Sequence, residues 1–290
     1  MANNIRDIHN RITSTKKTAK ITKAMNMVSA SKLRLAEKAI REYRPFIDKA
    51  YDIIINIASS SEELNHALLE AREVKKTCYV VISSDRGLAG AFNANVLKKL
   101  ADIISKHQPN EYCVLPLGLK AYSYCQKHRM PMLIDKPVLL RDDIEFNDVY
   151  NVTKTLVMNF LQKSIDKVDI IYNHYINTLV HETTVTTVFP INKAQILSDK
   201  KAESFYEFEG GVNEVLNVVL PMYIENYIYG LILDSKASEH ASRMNSMKNA
   251  TDNAEEVINS LGLLYNRARQ AAITLELTDI VGGASVINEN

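Results

Sequence analysis

The residues able to do chemistry are scattered, and the arrangement that stands out is a loop. Ser83-Ser84-Asp85-Arg86-Gly87-Leu88-Ala89-Gly90 follows an apolar, β-prone run and precedes a helical pattern. A strand–loop–helix junction can cradle a phosphate in backbone N–H groups. This loop has neither the Gly-Lys-Ser/Thr of a P-loop nor the GxGxxG of a dinucleotide fold. It reads instead as a tight turn with a local Asp85–Arg86 ion pair. None of the histidines (His9, His66, His107, His128, His174, His181, His240) has HExxH or other ligand spacing. Asp142-Asp143-Glu145 lacks EF-hand spacing and reads as a solvated loop. No GxSxG is present. Cys78, Cys113 and Cys125 are odd in number, without CxxC, and sit among apolar residues. They read as buried thiols in a reducing compartment. No cofactor or metal is therefore expected.

The informative chemistry is charge. Overall balance is neutral, with a formal charge of +1. Between Asp7 and Glu37, however, there is no acid, while Arg11, Lys16, Lys17, Lys20, Lys23, Lys32 and Arg34 fall in that window. Thr13, Ser14, Thr18, Ala24, Ser29 and Ala30 fill much of the rest. A helix made this way is slim and basic. A merely solvated helix carries both signs, so the missing acid points to an acidic partner. Nucleic acid fits less well, because no aromatic residue interleaves the basic ones before Tyr43.

These residues need elements to hold them. Ile5, Ile8, Ile12, Thr15 and Ala19 advance by three and four, as do Leu33, Ala36, Ile40, Tyr43, Ile47, Ala50, Ile54 and Ile57. Both are heptad seams. The stretch between them predicts a phase shift near residues 20–32, and Pro45 predicts a kink. A second seam reads Ala237, Met244, Met247, Thr251, Ala254, Ile258, Leu261, Tyr265, Ala268, Ala272, Leu275. Gly230 and Gly262 interrupt this segment, Pro221 kinks it or moves its start, and Gly282-Gly283 supplies a stop. At 1.5 Å per residue the two segments reach about 80 Å and about 110 Å. Helices this long need a partner for the apolar stripe, and each end supplies one for the other.

The middle predicts strands at Thr77–Ile82, Cys113–Leu117, Val168–Tyr172 and Thr183–Phe189. Helical patterns lie at Asn93–Lys106, Leu119–Lys127 and Val149–Ser164. Such alternation implies βαβ units and a mostly parallel sheet. The expected fold class is α/β, with a central Rossmann-like domain at 75–195. An antiparallel coiled coil of 1–59 and 211–286 joins it, the longer C-terminal helix projecting past its partner. Seams between blocks fall near Ser59–Glu63 and Ser198–Lys201. No run approaches the ~20 apolar residues of a membrane span, and Met1–Asp7 has no secretory h-region. The apolar positions of Ile273–Val281 exceed what an unpaired helix should expose, so a protruding tip needs an apolar sleeve.

Several stretches resemble the gamma subunit of the rotary ATP synthases. Ile21-Thr22-Lys23-Ala24-Met25-Asn26-Met27-Val28-Ser29-Ala30-Ser31-Lys32 is similar to the family's ITKAMEMVAASK. The Ser83–Gly90 loop resembles its S-S/T-D-R-G-L-C-G, and Met247–Asn253 its MKAATDN. Tyr265–Leu277 resembles YNKARQASITQEL.

This resemblance implies a noncatalytic rotor shaft lying in the bore of an alternating alpha/beta ring, which holds the nucleotide while the shaft binds none. It also implies an epsilon subunit and a membrane c-ring as partners, and no nucleic acid. Lys23 and Met25 match the neck contact with the catalytic subunit's acidic lever, and Arg269 and Gln270 match its catch. Lys20, Arg34 and Arg267 join the same basic surface on charge alone. Ala89 stands where the family has Cys, and Asn26 where it usually has Glu. The chloroplast branch's cysteine insertion is missing, so thiol control is not expected. Met1–Asp7 carries acid too early for an organelle transit peptide, so the expected place is the cytoplasmic face of a bacterial plasma membrane, as a peripheral part of the ATP synthase. On the residues alone two other readings stay open: a nucleotide-binding α/β enzyme, and a coiled-coil adaptor or nucleic-acid binder.

Overall fold

The computed structural model describes residues 2–60, 66–142, 144, 146–191 and 212–288. The elements are α1 (Ala2–Ser60), β1 (Thr77–Ile82), α2 (Phe92–Ile104), β2 (Tyr112–Leu117), α3 (Leu119–Lys127), α4 (Phe146–Leu161), β3 (Lys167–Tyr175), β4 (His181–Phe189) and a last helix α5 (Val212–Asn288). Every strand and helix expected in the middle is present, with ends displaced by a few residues. The residues at both expected block seams, from Ser61 and from Ser198 onward, fall largely outside the described ones.

The chain forms two compact units, 1–28 with 244–290, and 29–243. In the second, the strands run β2-β1-β3-β4. The first three are parallel, and β4 closes the sheet antiparallel to β3. Alternating side chains of a strand point to opposite faces. Cys78, Val80 and Ile82 of β1 thus pack with Leu156 and Phe160 of α4 and with Leu216, Leu220, Ile224 and Ile228 of α5. Tyr79 and Val81 pack on the other face with Val96 and Leu100 of α2 and Ala121 and Cys125 of α3. With both faces covered, β1 and β2 are buried along their whole length, which is why they read as unbroken apolar runs. Here α1 and α5 also run antiparallel: Tyr43 donates to Asn226 and its ring meets Tyr229, while Tyr51 meets Tyr223.

Four expectations need correction. Burial on α1 recurs at Ile5, Ile8, Ile12, Thr15, Ala19, Thr22, Asn26, Ser29 and Leu33, so one seam runs through residues 20–32 without a phase shift. The apolar signal fails there only because the seam residues are small or polar. Gly282-Gly283 does not stop α5, which continues to Asn288. Gly230 and Gly262 leave the helix unbroken, and Gly230 has a use: a Cβ there would lie 2.7 Å from Ile47 Cδ1. Lastly, α5 contains an 18-residue stretch of mean hydropathy 1.3, long and apolar enough by composition to cross a membrane. Its leucines and isoleucines include those packed on the sheet, which accounts for the hydropathy. Pro45 and Pro221 both lie inside helices, and α5 starts nine residues before Pro221, at Val212.

Candidate functional site

In the unit of residues 1–28 and 244–290 the two helices run antiparallel. The hydroxyls of Thr22 and Thr251 are 2.7 Å apart, Asn26 donates to the Met244 carbonyl, and the rings of His9 and Tyr265 lie 5.8 Å apart. Asn26, which replaces the usual acid, thus serves as a cross-helix donor. The seam on α5 is buried or half-buried at Met247, Thr251, Ala254, Ile258, Leu261, Tyr265, Ala268 and Ala272.

Against this seam the basic residues fall into place. Lys16, Lys20 and Lys23 each follow a seam residue by one position, forming an exposed stripe. Met25 is half-buried beside Asn26. Among the described residues, no ion pair engages Lys16, Lys17, Lys20 or Lys23. The acid-free property belongs to α1 alone, however. Asp252, Glu255 and Glu256 of α5 are exposed in the same unit, and a reading confined to the α1 window could not see them.

Arg267, Arg269 and Gln270 are exposed between the seam residues Tyr265, Ala268 and Ala272. They lie at the level of His9, roughly 25 Å along the axis from Thr251 at helical rise. Six of the seven expected contact residues therefore form two stations, while Arg34 is exposed in the 29–243 unit. Beyond Ala272 the seam ends: Leu275 is exposed, as are Ile273, Leu277, Ile280 and Val281. Among the described residues Leu275 is therefore not part of the buried seam.

The Ser83–Gly90 loop, at the sheet's carboxyl edge, differs from its expected form. Asp85 makes no pair with Arg86 among the described residues; its carboxylate accepts the backbone N–H of Leu119 at 2.9 Å, capping α3. Ser83 Oγ donates to the Leu117 carbonyl and accepts from the Ala121 N–H. Ser84 and Asn93 bond to each other. Arg86 and Leu88 are exposed, and Leu88 adopts a left-handed backbone, φ +61°. Ala89 is buried, and its carbonyl accepts Ser242 Oγ at 2.6 Å.

Asp142 is not simply solvated. It pairs with Lys32 and lies 3.8 Å from Lys236 and 3.5 Å from His240. Partial burial pushes its carboxyl up, but the bond from Lys32 and the charges of Lys236 and His240 hold it below its usual value. Asp143 and Glu145 lie outside the described residues. Burial pushes the His240 imidazole down to about 4, against the pull of Glu239 and Asp142. No sequence signal marked this cluster, because its members come from α1, a loop and α5. No group of three or more His, Cys, Asp or Glu able to hold a metal occurs among the described residues. All three cysteines are buried.

A family model described as ATP synthase matches residues 4–287. Among solved structures, the chain is similar to one in the Tetrahymena thermophila mitochondrial ATP synthase central stalk/c-ring (25% identity, TM-score 0.60, covering 79% of this chain and 99% of that one). A chain of the Euglena gracilis mitochondrial ATP synthase, OSCP/F1/c-ring, is similar over 99% of this chain and 95% of its own (19%, TM-score 0.72). A chain of the Euglena gracilis rotor is similar over 94% and 100% (18%, TM-score 0.66).

Proposed function

The chain belongs to the gamma-subunit family of ATP synthase, and we propose how its surface serves the central rotor shaft of that membrane-associated complex. The observation that carries this reading is the helix pair whose seam ends at Ala272 while α5 runs on to Asn288. A pair with a protruding single helix is an asymmetric rod, and asymmetry is what lets a turning shaft present different faces to surrounding subunits.

On this reading the shaft is noncatalytic. Segments 1–59 and 211–286 form it, and 75–195 is the central α/β domain. Lys20, Lys23 and Met25 touch the catalytic subunit's acidic lever, and Arg267, Arg269 and Gln270 its catch loop. Exposed, unpaired bases suit contacts that must form and break, since a surface ion pair contributes only about 0–1 kcal/mol. The exposed apolar residues of 273–281 seat in the ring's sleeve. The alpha/beta ring, epsilon subunit and c-ring are the partners, at the cytoplasmic face of a bacterial plasma membrane. Nucleotide stays with the ring: the Ser83–Gly90 loop offers no lysine and places Asp85 at the sheet edge, where a carboxylate repels phosphate.

The test is Lys20→Glu with Lys23→Glu in the reconstituted complex. Proton uptake per ATP hydrolysed should fall while the ring still hydrolyses ATP. Unchanged uptake per ATP would remove the neck assignment. Saturable micromolar binding of ATP, ADP or NAD to the isolated chain would instead favour a nucleotide-binding protein.

A further inference from the structure

The Ser83–Gly90 loop and the charges buried beneath it share one helix face. Lys236, Glu239, His240 and Arg243 occupy successive turns of α5 at the end of the 29–243 unit. Glu239 accepts from Lys236 at 3.1 Å and from Arg243 at 2.8 Å, with all three side chains buried or nearly so. Lys236 also donates to the Leu140 carbonyl. Asp142 joins Lys236 and His240 to Lys32 of α1. On the other side, Ser242 donates to the Ala89 carbonyl and Arg243 to that of Gly87, at 3.5 Å.

The loop receiving these bonds is itself fixed to the sheet. Asp85 and Ser83 bond the first turn of α3. Gly118, at φ +90°, approaches so closely that a Cβ would lie 2.2 Å from the Ser83 carbonyl oxygen. Neighbouring positions on α5 are the small Ala237 and Ala241, both buried, which let the backbone lie close.

Burying this many charges is a poor way to gain stability, because desolvation offsets most of the Coulomb attraction. What directional bonds add is register. A helix seated only on apolar side chains can slide or rotate against them by small shear steps. One tied to two loops and to α1 has a single rotational setting.

We propose that this network keys α5 to the sheet domain, so that torque applied to the domain turns the helix without slip. The proposal rests on the shaft reading. Lys236, Glu239, Ser242 and Arg243 are positioning residues in it, and the Ser83–Gly90 loop is the socket.

The test uses the complete ATP synthase in lipid vesicles, measuring ATP hydrolysis and proton uptake together. Lys236→Met, Glu239→Leu and Arg243→Met combined replace the charges by apolar groups of similar size, a change that usually preserves folding. Hydrolysis should persist while uptake per ATP falls by about twofold or more, as expected when a packed helix gains a second setting. Glu239→Asp with Arg243→Lys, which keeps the charges, should retain most of the coupling. A triple variant that couples like wild type overturns the proposal. If that variant does not assemble, Ser242→Ala decides: a smaller drop in the same ratio supports the key, and a wild-type ratio overturns it. A wild-type complex showing hydrolysis without proton uptake would overturn the shaft reading itself.

Discussion

In the unit of residues 1–28 and 244–290, the buried seam mixes small and polar side chains, Thr22 against Thr251 and Asn26 reaching the Met244 carbonyl, with a few large apolar ones such as Met247 and Leu261. In the 29–243 unit, burial belongs to Phe92, Phe160, Phe189 and many Leu and Ile residues, and the charges it buries are paired. One unit keeps a thin seam and leaves its bases outside; the other is packed on both faces of a sheet. Surface chemistry free to meet partners belongs to the first, and fixed geometry to the second. This difference predicts that equal chemical changes cost far more in the sheet unit.

The largest effect should come from Gly118→Ala. The new Cβ would meet backbone, not a movable side chain, and φ +90° is strained for any L-residue. A loss of about 3–5 kcal/mol is expected in denaturant unfolding. A cost near zero would show that the β1–β2 edge can yield, which would also weaken the socket.

Next is Arg72→Ala. Arg72 bonds Asp166 at 2.7 Å and the carbonyls of Phe160 and Ile165, and its guanidinium stacks 4.4 Å from the centre of the Phe160 ring. Its removal leaves a largely buried carboxylate without a countercharge, held only by the Lys75 and Lys76 N–H groups, at about 3 kcal/mol. Denaturant unfolding should report that loss, and an unchanged midpoint would show that Asp166 finds another partner.

Acid should act on the sheet unit in two windows. The His240 imidazole is held down to about 4 in the fold, so below its ordinary value near 6.5 the unfolded chain takes up a proton that the folded chain refuses. Stability therefore falls as pH drops from about 6.5 to about 4, by on the order of 3 kcal/mol. Burial pushes Asp166 up, but bonds from the Lys76 and Lys75 N–H groups and from Arg72 outweigh it and hold the carboxyl low. Its contribution is present above about 4 and is lost below that, as pH falls through the folded value. His240→Gln should reduce the slope of the first window, leaving the part that His66 and His181, also pushed down by burial, contribute, and should leave the second. Equal slopes in variant and wild type above pH 4 would assign the acid sensitivity elsewhere.

Much of this architecture was legible in the residues. Leu119–Lys127 and Thr77–Ile82 were readable to the residue because both carry strong local patterns. The seam through residues 20–32 was not, since Thr22, Asn26 and Ser29 hold its register without apolar side chains. Leu275 continued the heptad pattern, yet pattern cannot say where a partner helix begins. Lys20, Lys23 and Arg267 were visible as charge and Arg269 through the family resemblance, but their separation into two stations needed the alignment of one helix on the other. The cluster of Asp142, Lys236, Glu239 and His240 was invisible, because its parts are joined only by the fold.

The smallest effect should be at the seam of the helix pair. Thr22→Val keeps the shape and removes one hydroxyl of the Thr22–Thr251 pair. Thr251 still donates to the Met247 carbonyl at 2.8 Å, so no buried donor is orphaned, and the loss should be about 1 kcal/mol or less. Thr22→Val with Thr251→Val should sit closer to wild type than the sum of the single changes, because both partners become apolar together. Hydrogen exchange of the α1 amides around Thr22 reads this locally, apart from the sheet unit. A single Thr22→Val as costly as Arg72→Ala would mean that the thin seam is a lock in its own right, and the contrast between the two units would fail at the position where it is drawn most sharply.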